Sequence, residues 1–354
     1  MAGRLPVAPH DALNPLEGTV DFRVEPSRLN SPRIWIITVE LITLEANSER
    51  AVIVPDAGCQ CLGYRAGTLD VIAGPANPGA WREHPHRGGI PILFPWPGRI
   101  ADACFTFHGR EYRLPANELA HGHAIHGFAC ERAFRVTRRG ACFVTAILDS
   151  SDNSDLNSIW PWPFVLEIDY EVGNGLRLKA RITNTGGSSM PFGFGAHPYF
   201  HAPLNPTGLR DAMLIQLDAS ARWPLDARLI PTGDIVPLAG KYDLRAPRPL
   251  GADTYDDAFR MAPLAERTVT NDASAPRARL IDPSRNIALE IRADVAFGDF
   301  VVYAPADNSV VAIEPYTCAP DAFNLAARGI AAGMRELAPG DTFEAGFEIC
   351  LNAP

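Results

Sequence analysis

Apolar and polar residues alternate along most of this chain. Residues 33–46 alternate and are rich in Ile, Thr and Trp, and similar stretches flank the turns at Arg139-Gly140 and Gly173-Asn174-Gly175. A period of two is typical of strands, and a short glycine turn between two such stretches predicts a hairpin. The pattern predicts roughly eighteen strands, with helix limited to one turn at residues 322–328. We therefore predict an all-β chain with very little helix, built as one large two-layer sandwich.

The division of the chain follows from the same pattern. Residues 1–30 are rich in proline and charge and are predicted to form an irregular N-terminal arm. No repeat and no flexible linker interrupts the rest, so residues 31–354 are predicted to form a single β-sandwich domain. Within it, residues 253–259 carry three acids and are predicted to lie on a loop.

Composition narrows the range of partners. The net charge of −9 provides no basic surface for nucleic acid. The first thirty residues contain no apolar core of a signal peptide, and no run reaches eighteen apolar residues, so no membrane segment is predicted. Seven cysteines, an odd number, favour buried free thiols in a reducing compartment over a disulfide framework. We therefore expect a soluble cytoplasmic protein, and the sequence leaves its oligomeric state open.

Several polar residues lie at predicted strand ends or in the turns beside them, namely Arg99, His126, His197, Asp256 and Glu314. Glu314 follows a run of four apolar residues, and burial there would raise its pKa toward the range of a general base. His197 sits in a backbone constrained by Gly195 and Pro198. Each has a structural alternative: an ion pair for Glu314, a satisfied core histidine for His197, and a solvated loop pair for Asp256 with Asp257.

The remaining histidines invite a metal interpretation. His121, His123 and His126 are closely spaced, and His84 and His86 could add ligands. Glycines at 122 and 127 make this stretch a turn, however, and no acidic ligand is near in sequence, so no metal is predicted. His84 and His86 are interpreted as packing or rim residues. No glycine-rich phosphate motif and no serine nucleophile elbow is present, so nucleotide binding is not predicted either.

Five blocks, taken in order, carry a resemblance to a known family. They are GGIPILFPWPGRI with FTFHGREYRLP, then HAIHGFA, PFGFGAHPYFH, YDDAF, and IEPYTCAPDAFNL followed by LAPGDTFEAGFEI. This ordered set resembles the aldose 1-epimerases, or galactose mutarotases. The resemblance implies the mutarotase β-supersandwich and an isomerase that interconverts the α and β anomers of a free hexose, a small monosaccharide.

The same resemblance implies a role for each of the five candidates. Glu314 matches the general base that takes the proton of the anomeric hydroxyl, and His197 matches the acid that protonates the ring oxygen. His126 matches a second histidine near those oxygens. Arg99 matches the arginine that orients the sugar, and Asp256 matches an acid that holds sugar hydroxyls, with Asp257 as an alternative register. The reaction moves only protons, so no cofactor is expected.

The sequence departs from the related hexose 6-phosphate branch at one position. That branch typically reads HGFAR, and its arginine helps to hold phosphate, whereas Cys130 stands there in this chain. Arg87 and Arg132 remain as candidate phosphate partners. A neutral hexose is the favoured substrate, and the alternatives are a hexose 6-phosphate mutarotase or a sugar-binding protein without catalysis.

Overall fold

The computed structural model describes residues 18–24, 35–75, 84–204, 206–263, 275–305 and 309–352. The first strands in chain order are β1 (Gly18–Val24), β2 (Trp35–Ala46), β3 (Glu49–Val54), β4 (Gln60–Ala66), β5 (Leu69–Asp70), β6 (Ile92–Leu93), β7 (Arg99–Ile100), β8 (Cys104–Phe107), β9 (Arg110–Arg113) and β10 (Ala124–Ile125). The middle of the chain contributes β11 (Arg135–Arg139), β12 (Phe143–Asp149), β13 (Phe164–Glu171), β14 (Leu176–Asn184), β15 (Met190–Phe192), β16 (Gly195–Ala196), β17 (Tyr199–His201), β18 (Leu214–Leu217) and β19 (Ala219–Trp223). The last strands are β20 (Val236–Pro237), β21 (Arg248–Pro249), β22 (Tyr255–Met261), β23 (Ala278–Asp282), β24 (Ile287–Ala293), β25 (Asp299–Ala304), β26 (Val310–Tyr316), β27 (Arg335–Leu337) and β28 (Thr342–Asn352).

Helix in the described residues is limited to short pieces. The two α-helices are α1 (Leu156–Ile159) and α2 (Ala322–Ala327), and the second confirms the helical turn predicted there. Single 3-10 turns occur at Ala101–Ala103, Ala129–Glu131, Ser150–Asp152, Arg210–Ala212 and Gly240–Tyr242. In the part of the chain that is described, no helix has the length and apolar character needed to span a bilayer.

Two large antiparallel sheets dominate the fold. One has nine strands in the order β11-β12-β13-β14-β28-β24-β23-β18-β21. The other has eight, in the order β20-β19-β22-β25-β26-β16-β6, with β17 also paired to β26. Strands β1 to β5 form a further sheet in chain order, and β7 with β10, β8 with β9 and β15 with β27 form two-stranded ribbons.

Alternation along the strands explains why the two large sheets pack together. Buried and half-buried or exposed residues alternate along β13 and β14, which puts the apolar set of each strand on one face. Those apolar residues join Val311 and Ile313 of β26 in one continuous core. The prediction of an all-β sandwich with very little helix is confirmed.

Strand β26 is buried on both faces, and this places the candidate site. All seven of its residues are buried. Val311 and Ile313 point into the sandwich core. Because successive side chains alternate between faces, Ala312, Glu314 and Tyr316 point to the other face. There Glu314 lies beside Val301 of the neighbouring strand β25. The outer face of the eight-stranded sheet therefore forms the floor of a site that other segments cover.

Two sequence predictions are wrong in part. The arm predicted to be irregular contains strand β1, which pairs with β2. The rest of residues 1–30 lies outside the described residues, and the division of the chain near residue 30 stays a prediction. Residues 255–259 of the acidic stretch predicted as a loop belong to strand β22, paired with β25. Charged residues on a strand obscured its periodicity, because this strand faces a polar pocket rather than water.

The number of strands also exceeds the prediction, with 28 in the described residues. Several of the additional strands, such as β6, β7, β10 and β16, are only two residues long. A pair of residues carries no measurable period, so such strands are formed by neighbouring chain segments rather than by local pattern.

A close backbone approach fixes the segment that ends in His126. Gly127 has a φ of +67°, and a Cβ at this position would lie 2.1 Å from the Phe94 carbonyl oxygen. The Phe128 N–H donates to that same oxygen over 2.9 Å. Only glycine allows this approach, which holds the turn containing His126 against the segment that begins at Gly88.

We expect Gly127→Ala to destabilise the fold by several kcal/mol, because a left-handed backbone with a Cβ costs about 1–2 kcal/mol and overpacking adds about 1–3 kcal/mol. Gly122→Ala is the matched control, since Gly122 has a φ of +73° but open space around its Cβ position. Urea unfolding of both variants measures the difference. Equal losses of stability would show that the contact with Phe94 does not constrain this turn.

Candidate active site

The five candidates surround one cavity of about 140 Å³ on the outer face of the eight-stranded sheet. A cavity of about 150 Å³ is large enough for a six-membered ring such as benzene. The lining residues predicted from sequence are Arg99, His126, His197, Asp256 and Glu314. They come from β7, from the turn after β10, from the link between β16 and β17, from β22 and from β26. The structure thus brings together five residues that are up to 215 positions apart in the chain (314 − 99).

The carboxyl group of Glu314 and the imidazole of His197 are in contact at this cavity. The Glu314 Oε1 atom lies 3.3 Å from His197 Nε2. Both side chains are almost wholly buried, with relative exposures of 1% for Glu314 and 6% for His197. The arrangement places a carboxyl group and an imidazole in contact at the edge of the cavity, with little access for water.

A tyrosine two residues after each of these groups orients it. The Tyr316 hydroxyl donates to Glu314 Oε2 over 2.6 Å. The Tyr199 hydroxyl donates to the His86 carbonyl over 2.9 Å and lies 3.2 Å from His197 Nε2. Because its single proton is used on the carbonyl, this hydroxyl accepts from Nε2, so the hydrogen-bond network places the imidazole proton on Nε2, where it faces Glu314.

Burial shifts the pKa values of the pair in opposite directions. Desolvation raises the pKa of Glu314 well above its ordinary value, although the hydrogen bond from Tyr316 opposes the shift. Desolvation, with a smaller contribution from His86, lowers the pKa of His197 to about 3. The carboxylic acid and the neutral imidazole are therefore the favoured forms of the two groups.

Three imidazoles stand in a row along one wall. The ring of His126 lies 5.1 Å from that of His86 and 5.5 Å from that of His197. The Gly98 N–H donates to His126 Nδ1 over 3.3 Å, which leaves the other ring nitrogen as the protonated one. Burial lowers the pKa of His126, and its neighbours His86 and His197 lower it further. The row is therefore uncharged at neutral pH.

Arg99 is the fixed cation of the cavity. Its guanidinium makes a two-pronged contact with Glu118, with 3.0 Å and 2.9 Å bonds from Nε and Nη2. The same Nη2 lies 3.9 Å from Asp256 Oδ2. Burial alone would lower the pKa of Arg99, but Glu118 and Asp256 more than offset this. For Asp256, burial raises the pKa and Arg99 opposes the rise.

Sequence reasoning missed several parts of the wall. Tyr316 and Glu118 were not singled out, and Leu225 and Leu229 line the cavity from a loop that follows β19. Asp257 lines it as well, so the register of β22 brings both acids to the site. The spacing His197-x-Tyr199 and Glu314-x-Tyr316 was the available signal for the two tyrosines, since residues two apart on a strand share a face.

His121 and His123 contact groups outside the cavity. His123 Nδ1 accepts from the Asp102 N–H over 3.1 Å, and its Nε2 lies 3.2 Å from the Arg228 carbonyl. His121 lies 3.8 Å from Glu118. Among the described residues no group of three or more His, Cys, Asp or Glu side chains is arranged to hold a metal ion. All seven cysteines are free thiols.

The chain is similar to known proteins in sequence and in fold. The family model for aldose 1-epimerases matches residues 40–350. The protein YihR of Escherichia coli K12 is 28% identical over 240 residues, which is 66% of this chain and 71% of that one. The galactose mutarotase of Sus scrofa is 28% identical over 228 residues, 60% of this chain and 63% of its own. A crystal structure of a galactose mutarotase-like protein from Clostridium acetobutylicum superimposes with a TM-score of 0.81 at 21% identity, covering 89% of this chain and 96% of that one.

These findings define the class of protein first by fold and then by family. The structural likeness shows the mutarotase fold, which confirms the resemblance noted in the sequence. Because the family model matches most of the chain, the chain belongs to the aldose 1-epimerase family. The members of this family are isomerases that act on sugars, so the expectation of an enzyme is confirmed at that level.

We expect Tyr316→Phe to move the acidic limb of the pH profile of kcat/KM to higher pH by about one unit. Loss of the hydroxyl removes the contact that lowers the pKa of Glu314, and a hydrogen bond to a charged group is worth about 1.5–3 kcal/mol. Tyr112→Phe, at a tyrosine that does not line the cavity, is the control. An unchanged limb in Tyr316→Phe would show that the hydroxyl does not tune the carboxyl group.

Proposed function

We propose that this protein is an aldose 1-epimerase that interconverts the α and β anomers of a free hexose of the glucose or galactose type. The contact of 3.3 Å between Glu314 and His197 carries the proposal, because it places a proton acceptor and a proton donor side by side at a ring-sized cavity. Membership of the aldose 1-epimerase family supports it, as does the galactose mutarotase name of one relative.

Ring opening requires two proton transfers at neighbouring oxygens. Glu314 takes the proton of the anomeric hydroxyl, and His197, protonated at this stage, gives a proton to the ring oxygen. The open aldehyde rotates about the bond to its anomeric carbon, and closure returns each proton by the reverse path. Each positioned acid or base contributes about 10²–10⁴-fold to the rate. No hydride, phosphate or electron moves, so the reaction requires no cofactor.

The protonation state of the pair favours this direction of transfer. The step begins with the carboxylate and the imidazolium and ends with the carboxylic acid and the neutral imidazole. Burial of both side chains disfavours charge, so the end state is the one that the cavity stabilises. A sugar hydroxyl that donates to the carboxylate then offsets part of the cost of forming the charged pair.

The other three residues position the sugar in this proposal. Arg99, held by Glu118, donates to sugar oxygens from a fixed direction. Asp256 accepts from sugar hydroxyls, and His126 presents its free ring nitrogen near the reacting oxygens. Because Arg99 already faces two carboxylates, the cavity has no surplus of positive charge.

That balance supports a neutral hexose over a hexose 6-phosphate. Cys130 is buried behind His86, at the position where the phosphate branch has an arginine. Arg99, whose guanidinium lines the cavity, is ion-paired with Glu118 and lies 3.9 Å from Asp256. A phosphate group is normally held by arginines or lysines in bidentate or clustered contacts.

NMR exchange spectroscopy on glucose, galactose and glucose 6-phosphate tests the function. We expect faster exchange between anomers with at least one free hexose, and a lower kcat/KM for the 6-phosphate.

Glu314→Gln should lower turnover by about 10²-fold or more while sugar affinity changes far less, since an amide keeps the shape but cannot take the proton. Glu336→Gln, at an exposed carboxylate, is the control.

The stability of Glu314→Gln separates lost chemistry from lost structure. Because burial raises the pKa of Glu314, the folded state binds more protons than the unfolded state above the ordinary pKa of the group, and stability falls as pH rises through that range. The glutamine variant should therefore unfold no earlier than the parent at pH 7. Sugar binding without any acceleration of exchange in the parent protein would instead identify a non-catalytic sugar-binding protein.

A further inference from the structure

A short loop between β19 and β20 supplies an apolar part of the cavity wall. The loop comprises residues 224–232, and its residues Leu225 and Leu229 line the cavity. Both leucines are half-buried, whereas residues 226–228 between them are exposed. The proposed proton transfers use neither leucine, so the contribution of this loop to the cavity is not explained by the chemistry of the reaction.

The backbone of the loop is closed by its own hydrogen bonds. At its base, the Thr232 N–H donates to the Pro224 carbonyl over 2.9 Å. Nearer the tip, the Asp226 N–H donates to the Ile230 carbonyl over 2.9 Å. The Asp226 carboxylate accepts from the N–H groups of Arg228 and Ile230 over 2.8 Å and 3.0 Å. The loop is therefore a compact turn of defined shape.

Leu229 occupies a backbone conformation that leucine rarely adopts. Its φ is +63°, in the left-handed region where a side chain crowds the following carbonyl and where glycine or asparagine is the usual residue. Its N–H donates to the Asp226 carbonyl over 3.0 Å, which ties it into the turn. Strained residues of this kind cluster at functional sites. At this position the feature that glycine or asparagine would lack is the aliphatic side chain.

Contacts outside the cavity hold the loop in place. The Arg228 guanidinium is ion-paired with Asp102 and donates to the His121 carbonyl over 3.0 Å. His123 Nδ1 accepts from the Asp102 N–H, so its proton lies on Nε2, which donates to the Arg228 carbonyl over 3.2 Å. Asp102, His123 and Arg228 are not among the described residues that line the cavity. They fix this part of the wall without forming it.

An aliphatic wall discriminates between sugars by the groups that they turn toward it. Leucine neither donates nor accepts a hydrogen bond, so a sugar hydroxyl that faces it loses water and gains no partner. A C–H group at the same place is buried favourably. Aldohexoses that differ in configuration at one carbon exchange a hydroxyl and a hydrogen there, so such a wall separates them.

We propose that Leu225 and Leu229 determine which aldohexose the site accepts, by favouring the epimer that turns C–H groups rather than a hydroxyl toward the loop. The proposal rests on the proposed epimerase activity, since the ring occupies the cavity with its anomeric centre at Glu314 and His197. The contacts of Arg228 outside the cavity keep the wall from moving aside for the disfavoured epimer.

Anomer exchange measured by NMR on glucose, mannose, allose and galactose tests the wall, because the last three each differ from glucose at a single carbon. In the parent protein at least one of the three should differ from glucose by about tenfold or more in kcat/KM, as expected for a hydroxyl without a partner. Leu229→Asn should reduce that ratio to about threefold or less, because an amide of similar size can bind the hydroxyl. Leu225→Asn should act in the same direction.

Two measurements separate this effect from damage to the fold. Asparagine adopts the left-handed backbone more readily than leucine, so Leu229→Asn should unfold at no lower urea concentration than the parent. Leu209→Asn, at an exposed leucine that is not among the described residues lining the cavity, is the matched control and should leave all four sugars unchanged.

Three results would overturn the proposal while leaving the epimerase activity intact. They are an equal kcat/KM for all four sugars in the parent, a ratio that both asparagine variants leave unchanged, and an equal loss for all four sugars in both variants. If no sugar exchanges faster, the epimerase proposal fails instead. Saturation-transfer NMR of the four sugars with the parent and with Leu229→Asn then decides the wall by binding alone. A preference among epimers that the variant removes would support it, and no preference in the parent or an unchanged one in the variant would contradict it.

Discussion

The contact between Glu314 Oε1 and His197 Nε2 joins two groups that burial drives in opposite directions on the pKa scale. Burial disfavours the charged form of each, so the carboxylic acid and the neutral imidazole are favoured. In the proposed reaction Glu314 accepts a proton at one oxygen and His197 donates one at the next. The same exclusion of water that makes the carboxylate costly therefore makes proton abstraction from the sugar more favourable.

Strand β26 and the segments around it bury Glu314 and His197. Strand β26 is buried on both faces, with Ile313 in the sandwich core and Glu314 on the outer face. The turn that carries His126 is fixed against the Phe94 carbonyl by Gly127, and the hydroxyls of Tyr316 and Tyr199 contact Glu314 and His197. The regular sheet thus sets the position of Glu314, and the irregular turn sets the position of His126.

Sequence alone predicted the sandwich because long strands such as β13 and β14 repeat with a clear period of two. The five residues that it singled out, each at a strand end or turn and in a family block, all line the cavity. It failed for Asp256 as a loop residue, because an acid facing a pocket breaks the apolar pattern of its strand. It also missed Glu118, whose contact with the cavity depends on Arg99 arriving from another segment. Such features arise from packing between distant segments and leave no local signal.

The proposed reaction depends on the protonation states of Glu314 and His197, and NMR titration of the protein without sugar measures them most directly. Carboxyl ¹³C shifts would follow Glu314 and imidazole ¹⁵N shifts would follow His197, with Glu314→Gln used for assignment. We expect the Glu314 carboxyl to stay protonated to clearly higher pH than ordinary glutamates, and His197 to stay neutral into the acidic range. Independent titration of the two groups near their ordinary values, about 4.3 and about 6.5, would contradict the account.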